Sequence, residues 1–285
     1  GMWVCNDGLP GVENDMGIKT FTENGKMALT TPTSEFINKD FVNVESDYKV
    51  IGNLLFMMLP KQNVAEGKVP YLASQLTYTP DGTSLGDILT EKSYVAFNNG
   101  DVVYSTISFL RVKQELNLTG KKYAYSSAYV SNAKGIDEDF SVLGNTFNMA
   151  NIKANDFDMM FRSVLSCFEF DADSMKYKFR RDDGLEMEFD TPITVDGNKV
   201  TLDMSAVNPA CRKVDMHMFQ DKDDSQLHMY MHTDAFINYF ANMELYNLLA
   251  SGEITSDAAA IEKVFADMEA RIESINVSLV YKARE

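Results

Sequence analysis

Lys213-Val-Asp-Met-His-Met-Phe219, Gln220-Asp-Lys-Asp-Asp-Ser225 and Gln226-Leu-His-Met-Tyr-Met-His232 form one continuous stretch whose reading decides the fold. In the first segment Val214, Met216 and Met218 alternate with Asp215, His217 and Phe219. In the third, Leu227, Met229 and Met231 alternate with Gln226, His228, Tyr230 and His232. Period-2 alternation on both sides of a polar turn marks a β-hairpin. A turn over 220–225 sets Met216 opposite Met229, Val214 opposite Met231 and Met218 opposite Leu227, which gives one apolar face. A slip of one residue would turn the methionines into water.

The same pairing places His217 opposite His228, with side chains about 5 Å apart at Cβ. Two imidazoles at that spacing can share a metal ion, with Asp215 or Tyr230 as an oxygen ligand. His232 lies four residues beyond His228, roughly 13 Å along a strand, and cannot join that ion. Two nitrogens fall short of the three protein ligands usual at catalytic zinc. The competing reading is a polar strand face carrying incidental histidines.

Outward from this hairpin the chain reads as serial hairpins. Asx-Gly dipeptides at Asp7-Gly8, Asn24-Gly25, Asp81-Gly82, Asn99-Gly100, Asp183-Gly184 and Asp196-Gly197 supply the positive φ angles of tight turns. Strand-like runs flank most of them: Ile18 to Thr22 and Lys26 to Thr30, Ser93 to Phe97 and Val102 to Val112, Met175 to Phe179 and Leu185 to Phe189, and Ile193 to Val195 and Lys199 to Met204. Phe21–Leu29 echoes Ile193–Leu202, as two related halves would or as two hairpins sharing turn chemistry would. Three helices are expected: one after Asn155-Asp156 with Phe157, Met160, Phe161, Val164, Leu165 and Phe168 on one face; one capped by Thr233 and stopping at Ser251-Gly252, with Phe236, Phe240 and Met243 inward; and one from Ser256-Asp257 with Ile261, Val264, Phe265, Met268 and Ile272 as its stripe. Ile275–Tyr281 then alternates as a closing or edge strand. The fold class is therefore mainly β (α+β), an antiparallel barrel or sandwich built from hairpins with about three helices, two near the C-terminus. Val50–Leu59 reads equally as a buried strand or one side of a helix, and Thr83–Thr90 as a helical turn in a loop.

Residues 1–15 read as a flexible tether and 16–285 as a single β-rich domain, with 16–150 and 151–285 as the division if there are two halves. The chain has 26 Lys and Arg against 42 Asp and Glu, a formal charge of −16. That excludes nucleic acid as the expected partner, because phosphate binding needs clustered cations. No apolar run reaches the ~18–20 residues of a membrane helix. Cys167 and Cys211 either pair in an oxidising compartment or sit as buried small hydrophobes. No phosphate loop, dinucleotide fingerprint, zinc-protease motif or nucleophile elbow occurs. Asp221–Ser225 begins like a calcium loop but has Gln226 where glycine is needed and His232 where glutamate is needed. Glu186 and Glu188 share a strand face, as a glycosidase pair would. No catalytic residue or cofactor is expected from this set.

Cys5 heads the Gly/Pro/Asn/Asp-rich stretch up to Asp15 and resembles the acylated first residue of a mature bacterial lipoprotein. With the serial Asx-Gly hairpins and the order hairpin 213–232, helices, strand 275–281, the chain resembles the lipocalin-like lipoproteins of Gram-negative gut bacteria. That resemblance implies export to the periplasm or cell surface, a membrane contact only through a lipid on Cys5, and a barrel holding a small apolar or amphipathic ligand. Three readings of function follow: a non-enzymatic exported binding module whose pocket uses aromatic and methionine side chains, a metal-binding protein or metal-dependent enzyme on His217 and His228, and a structural or adhesive surface module.

Overall fold

The computed structural model describes residues 1–5, 17–31, 42–58, 71–83, 86–96, 102–136, 141–142, 145–146, 149, 161–162, 165–180, 184 and 186–284. The chain divides into two compact units, Gly1–Gln114 and Glu115–Glu285, and each closes an eight-stranded antiparallel barrel. Closed antiparallel barrels are the architecture implied by the lipocalin-like resemblance, and the sandwich alternative falls away.

Barrel one is an up-and-down meander of β1 (Met2–Cys5), β2 (Gly17–Phe21), β3 (Lys26–Thr31), β4 (Val42–Ile51), β5 (Leu54–Met58), β6 (Tyr71–Thr83), β7 (Gly86–Ala96) and β8 (Val102–Val112). It closes where β1 pairs with β8, Met2 opposite Val112 and Val4 opposite Leu110. This corrects the expected tether: residues 2–5 are the closing strand, and the Gly1 amine and carbonyl extend the ladder to Phe21. Residues 6–16, the rest of the expected tether, lie outside the described residues. The apolar run from Val50 is neither a single strand nor a helix. It is a hairpin, with β4 and β5 joined through Gly52-Asn53 and Gly52 at φ 62°, a left-handed conformation that favours glycine.

Barrel two comprises β9 (Lys122–Lys134), β12 (Cys167–Phe170), β13 (Ser174–Arg180), β14 (Glu186–Asp196), β15 (Lys199–Leu202), β16 (Val214–Gln220), β17 (Gln226–Met231) and β18 (Ser274–Arg284). A small separate pair, β10 (Ser141–Val142) with β11 (Asn145–Thr146), lies between β9 and β12. β9 pairs with both β12 and β18, so the division at 150/151 moves to 114/115. The two echoing hairpins are second and third in barrel one but fourth and fifth in barrel two. Shared turn chemistry, rather than equivalent position, accounts for the echo.

The deciding stretch is the hairpin β16–β17, but its register differs from the expected one. His217 faces Tyr230, Met218 faces Met229, Phe219 faces His228 and Gln220 faces Leu227. The turn is shorter than 220–225. Asp221 pairs with Gln226 through backbone and carboxylate, and Asp224 turns the chain at φ 59°. Gln220 stays in the strand because its buried amide has partners inside the barrel. Nε2 donates to the Asn117 carbonyl (2.9 Å) and the Tyr123 hydroxyl (2.8 Å), while Oε1 accepts from the Asn117 N–H (2.5 Å). A shift of two residues preserves which side chains share a face, so Val214, Met216, Met218, Leu227, Met229 and Met231 all remain in the core.

That core fills barrel two. The Phe168 ring lies 4.7 Å from that of Tyr281, tilted by 60°, and Tyr177 stacks 5.3 Å from Phe189 and lies 6.1 Å from Tyr239. Tyr239 belongs to α1 (Thr233–Ser251), which is buried around most of its circumference, Ala235, Phe236, Ile237, Phe240, Ala241 and Leu245 included. An all-round apolar helix belongs in a core. Thr233 does not cap it. The N-cap is His232, whose side chain makes no capping bond, and the Thr233 hydroxyl instead bridges the Ile275 N–H (2.9 Å) and carbonyl (3.0 Å). α2 (Ala258–Glu269) is capped by Asp257 as its sequence suggests. The first of the three expected helices falls almost wholly outside the described residues, with Phe161 and Leu165 buried in the core.

Arg212 fastens α2 to the approach to β16. Its guanidinium lies 3.9 Å over the Phe265 ring and reaches Glu269 (3.0 Å) and Glu262 (2.9 Å). Beneath it the buried Asn242 side chain accepts from the Arg212 N–H (2.8 Å) and donates to its carbonyl (2.7 Å). Asn242→Ala leaves both backbone groups without that partner and is expected to cost about 2 kcal/mol. Urea unfolding followed by tyrosine circular dichroism checks this; an unchanged midpoint would mean that water replaces the amide without loss.

Candidate functional site

Positions 217, 228 and 232 carry all three histidines. In the observed register His217 and His228 are not opposed. Asp215 already accepts from Lys199 Nζ (2.6 Å) and Thr201 Oγ1 (2.6 Å). Burial pushes its carboxyl up, but those two hydrogen bonds outweigh it and hold the group below the usual carboxylate value. His217 is depressed to about 4 by burial, then by the neighbouring His232 and Lys199. His228 is fully buried, has no hydrogen bond to either ring nitrogen, and is depressed to about 4 by burial alone. Such an imidazole is neutral, which suits a ligand, but its cross-strand neighbours are Phe219 and Val280. Among the described residues no group of three or more His, Cys, Asp or Glu is placed to hold a metal ion.

Cys5 is buried within β1, opposite Gly17. Cleavage before Cys5, as an acylated first residue requires, would remove Met2–Val4, which join β2 to β8. The lipidation reading at Cys5 therefore conflicts with closure of barrel one. Cys167 and Cys211 are free thiols, and burial pushes Cys211 up to about 11. Glu188 faces Lys178 at 3.7 Å, with both side chains half exposed or more.

The interior of barrel one is built differently from that of barrel two. One buried apolar cluster consists of Met27, Leu55 and Met57, with Phe21, Leu29, Tyr48 and Leu76 packed partly against it, and Val4, Ile18, Ile88, Leu89, Phe109, Leu110 and Val112 are buried as well. Across the same interior Lys19 of β2 meets Glu91 of β7 at 2.5 Å, with Lys19 Nζ 4.6 Å from the Phe109 ring centre. Ser93 joins this set through Glu91 (3.4 Å) and Ser74 (2.8 Å).

A concave feature lies on the opposite, outer face of the β4–β5 hairpin. It is a groove of about 360 Å³ lined by Asp47, Lys49, Ile51, Phe56 and Met58, with Tyr48 and Met57 between them. The register explains its composition. Lys49 faces Phe56 and Ile51 faces Leu54, and the next rung brings Asp47 level with Met58. Apolar side chains stand exposed on this face: Ile51 at 55%, Met58 at 45% and Leu54 at 41%. Two-sided apolar character at a hairpin tip is what singles this place out. One face feeds the Met27 cluster through Leu55 and Met57; the other stands outside it. The volume sits at the lower end of the ~300–1,000 Å³ range of small-molecule sites, and methionines give such a surface adaptability. The sequence signal was the longest apolar run in the chain; its division by Gly52-Asn53 decides that half of it faces outward.

No family model matches the chain, and no curated protein matches it. Among solved structures, the vaccine antigen transferrin-binding protein B of Haemophilus parasuis Hp5, as a double mutant, aligns over 95% of this chain and 54% of its own at 9% identity and a TM-score of 0.29. The chain thus spans about half the length of that protein, and a likeness this loose carries no functional argument.

Proposed function

We propose that this chain is a non-enzymatic, exported binding module that holds a small apolar or amphipathic ligand in the outer groove of the β4–β5 hairpin. The observation that carries the reading is the groove of about 360 Å³ with apolar walls and one acid and one base at its rim. The packed interior of barrel two supports the assignment to barrel one, since its aromatic and methionine side chains are spent on the core. Closed barrels have no free strand edge to offer a partner, which weighs against an adhesive module working by edge pairing.

Titration with Nile red, an uncharged apolar dye, tests this. Ile51→Glu combined with Met58→Glu is expected to weaken dye binding about tenfold or more, since ~1.4 kcal/mol of lost apolar contact is a factor of ten. Val195→Glu, at an equally exposed apolar position of barrel two, is the control and leaves binding unchanged. Equal affinities in the groove variant and the parent would remove the groove from consideration.

A further inference from the structure

The charges at the groove are not equivalent. Asp47 is committed to Lys26 of β3, Nζ to Oδ1 at 2.5 Å. Lys49 lies across the strand pair from Phe56 and has no carboxylate partner among the described residues. Its four-carbon stem can lie along the apolar wall while the ammonium stays at the rim, as lysines do beside apolar surface. The one uncommitted charge facing the groove is therefore positive. Size limits the occupant too. At the ~30 Å³ that a water molecule takes in the liquid, about 360 Å³ accommodates about a dozen non-hydrogen atoms.

We infer that the groove selects an anionic amphiphile of about a dozen non-hydrogen atoms, its carboxylate head on Lys49 Nζ and its chain against Ile51, Phe56 and Met58. The inference rests on the groove reading above and adds the sign of the head group and the length of the chain. A cationic head would meet Lys49, with Asp47 already paired to Lys26. A neutral head would gain the apolar contact alone. Net charge opposes anions at long range, but beyond ~8 Å that field is screened at physiological salt, so the local lysine decides.

Calorimetric titration of the whole chain with decanoate, decanol and decyltrimethylammonium, at low and high salt, tests it. Decanoate is expected to bind about fivefold more tightly than decanol at low salt, the size of an exposed charge pair, and to lose that advantage as salt rises. Lys49→Met, which keeps most of the apolar stem and removes the charge, should erase the difference between decanoate and decanol, and Lys49→Glu should shift preference to decyltrimethylammonium. Equal binding of the cation and decanoate to the parent would overturn the inference and leave the groove reading standing. So would retention of the decanoate advantage over decanol in Lys49→Met. Binding to phosphatidylglycerol vesicles without binding to decanoate would also overturn it, in favour of a membrane surface. Failure of all three ligands and of the vesicles would sink the groove reading itself.

Discussion

Lys19→Met is expected to destabilise barrel one by about 3–5 kcal/mol, because it leaves the Glu91 carboxylate buried without its counter-charge. Both side chains are about 5% exposed. β2 and β7 are separated by β1 and β8, so their 2.5 Å contact crosses the interior rather than running along the wall. Glu91→Gln should cost less, since an amide carries no charge to strand. The informative variant is the double one. Lys19→Met with Glu91→Leu removes both charges and should recover most of the loss, as apolar replacement of a buried pair often does. Urea unfolding followed by the fluorescence of Trp3, the one tryptophan and the cross-strand partner of Lys19, measures barrel one directly. If the double variant is as unstable as the two single losses combined, the pair matters through shape and not through charge.

Barrel two is expected to lose stability as the pH falls from about 6.5 towards 4. His228 titrates near 6.5 in the unfolded chain and near 4 in the fold. Between those values the unfolded chain takes up a proton that the fold refuses, so the folded state is progressively disfavoured as the pH drops. The loss begins below about 6.5 and is complete below about 4, and for His228 it totals about 3 kcal/mol. His217, also depressed to about 4 but only partly buried, adds in the same direction with a smaller weight. Because neither His228 nitrogen is hydrogen-bonded, His228→Leu should be tolerated within about 1 kcal/mol at pH 7. At pH 5 it should exceed the parent by about 2 kcal/mol. Unfolding curves at the two pH values, read by tyrosine circular dichroism, give the comparison. A parent and variant with the same pH dependence would show that His228 protonates freely within the fold.

How much of this was legible in the sequence depends on what each signal is sensitive to. Alternation in 213–232 identifies a hairpin and its apolar face because a one-residue slip is costly. It is blind to a two-residue shift, which keeps every side chain on its own face. The pairing of His217 therefore depended on where the turn began, and Gln220 looks like a turn residue until its amide is seen spanning Asn117 and Tyr123. The same parity argument explains why the alternation sets His217 opposite His228 while the structure pairs it with Tyr230. β6 and the start of β7 went unread because the barrel-one interior is partly polar. Ser74, Glu91 and Ser93 stand at inward positions where an alternating pattern calls for apolar residues, Pro80 lies within β6, and Thr83–Thr90 reads as a helical turn although β7 begins at Gly86. Serial Asx-Gly turns revealed antiparallel hairpins but not their number of closures, since a turn is local and closure joins distant strands. The groove residues were visible as an apolar run. Their outward direction was not, because hydropathy does not say which half of a hairpin faces the core.

Closure by the first and last strands of each unit also sets an order of assembly. Met2–Cys5 must wait for Val102–Val112, and Lys122–Lys134 for Ser274–Arg284. Such remote pairings incur their loop-closure entropy before any contact rewards it, and they slow folding. During synthesis barrel one can close while barrel two is still emerging. Until β18 arrives, β9 and β17 each present an unpaired edge flanked by methionine, tyrosine and phenylalanine. That interval is when a nascent chain would join a neighbour instead of itself, so the molecule is most exposed to aggregation just before its last strand is in place.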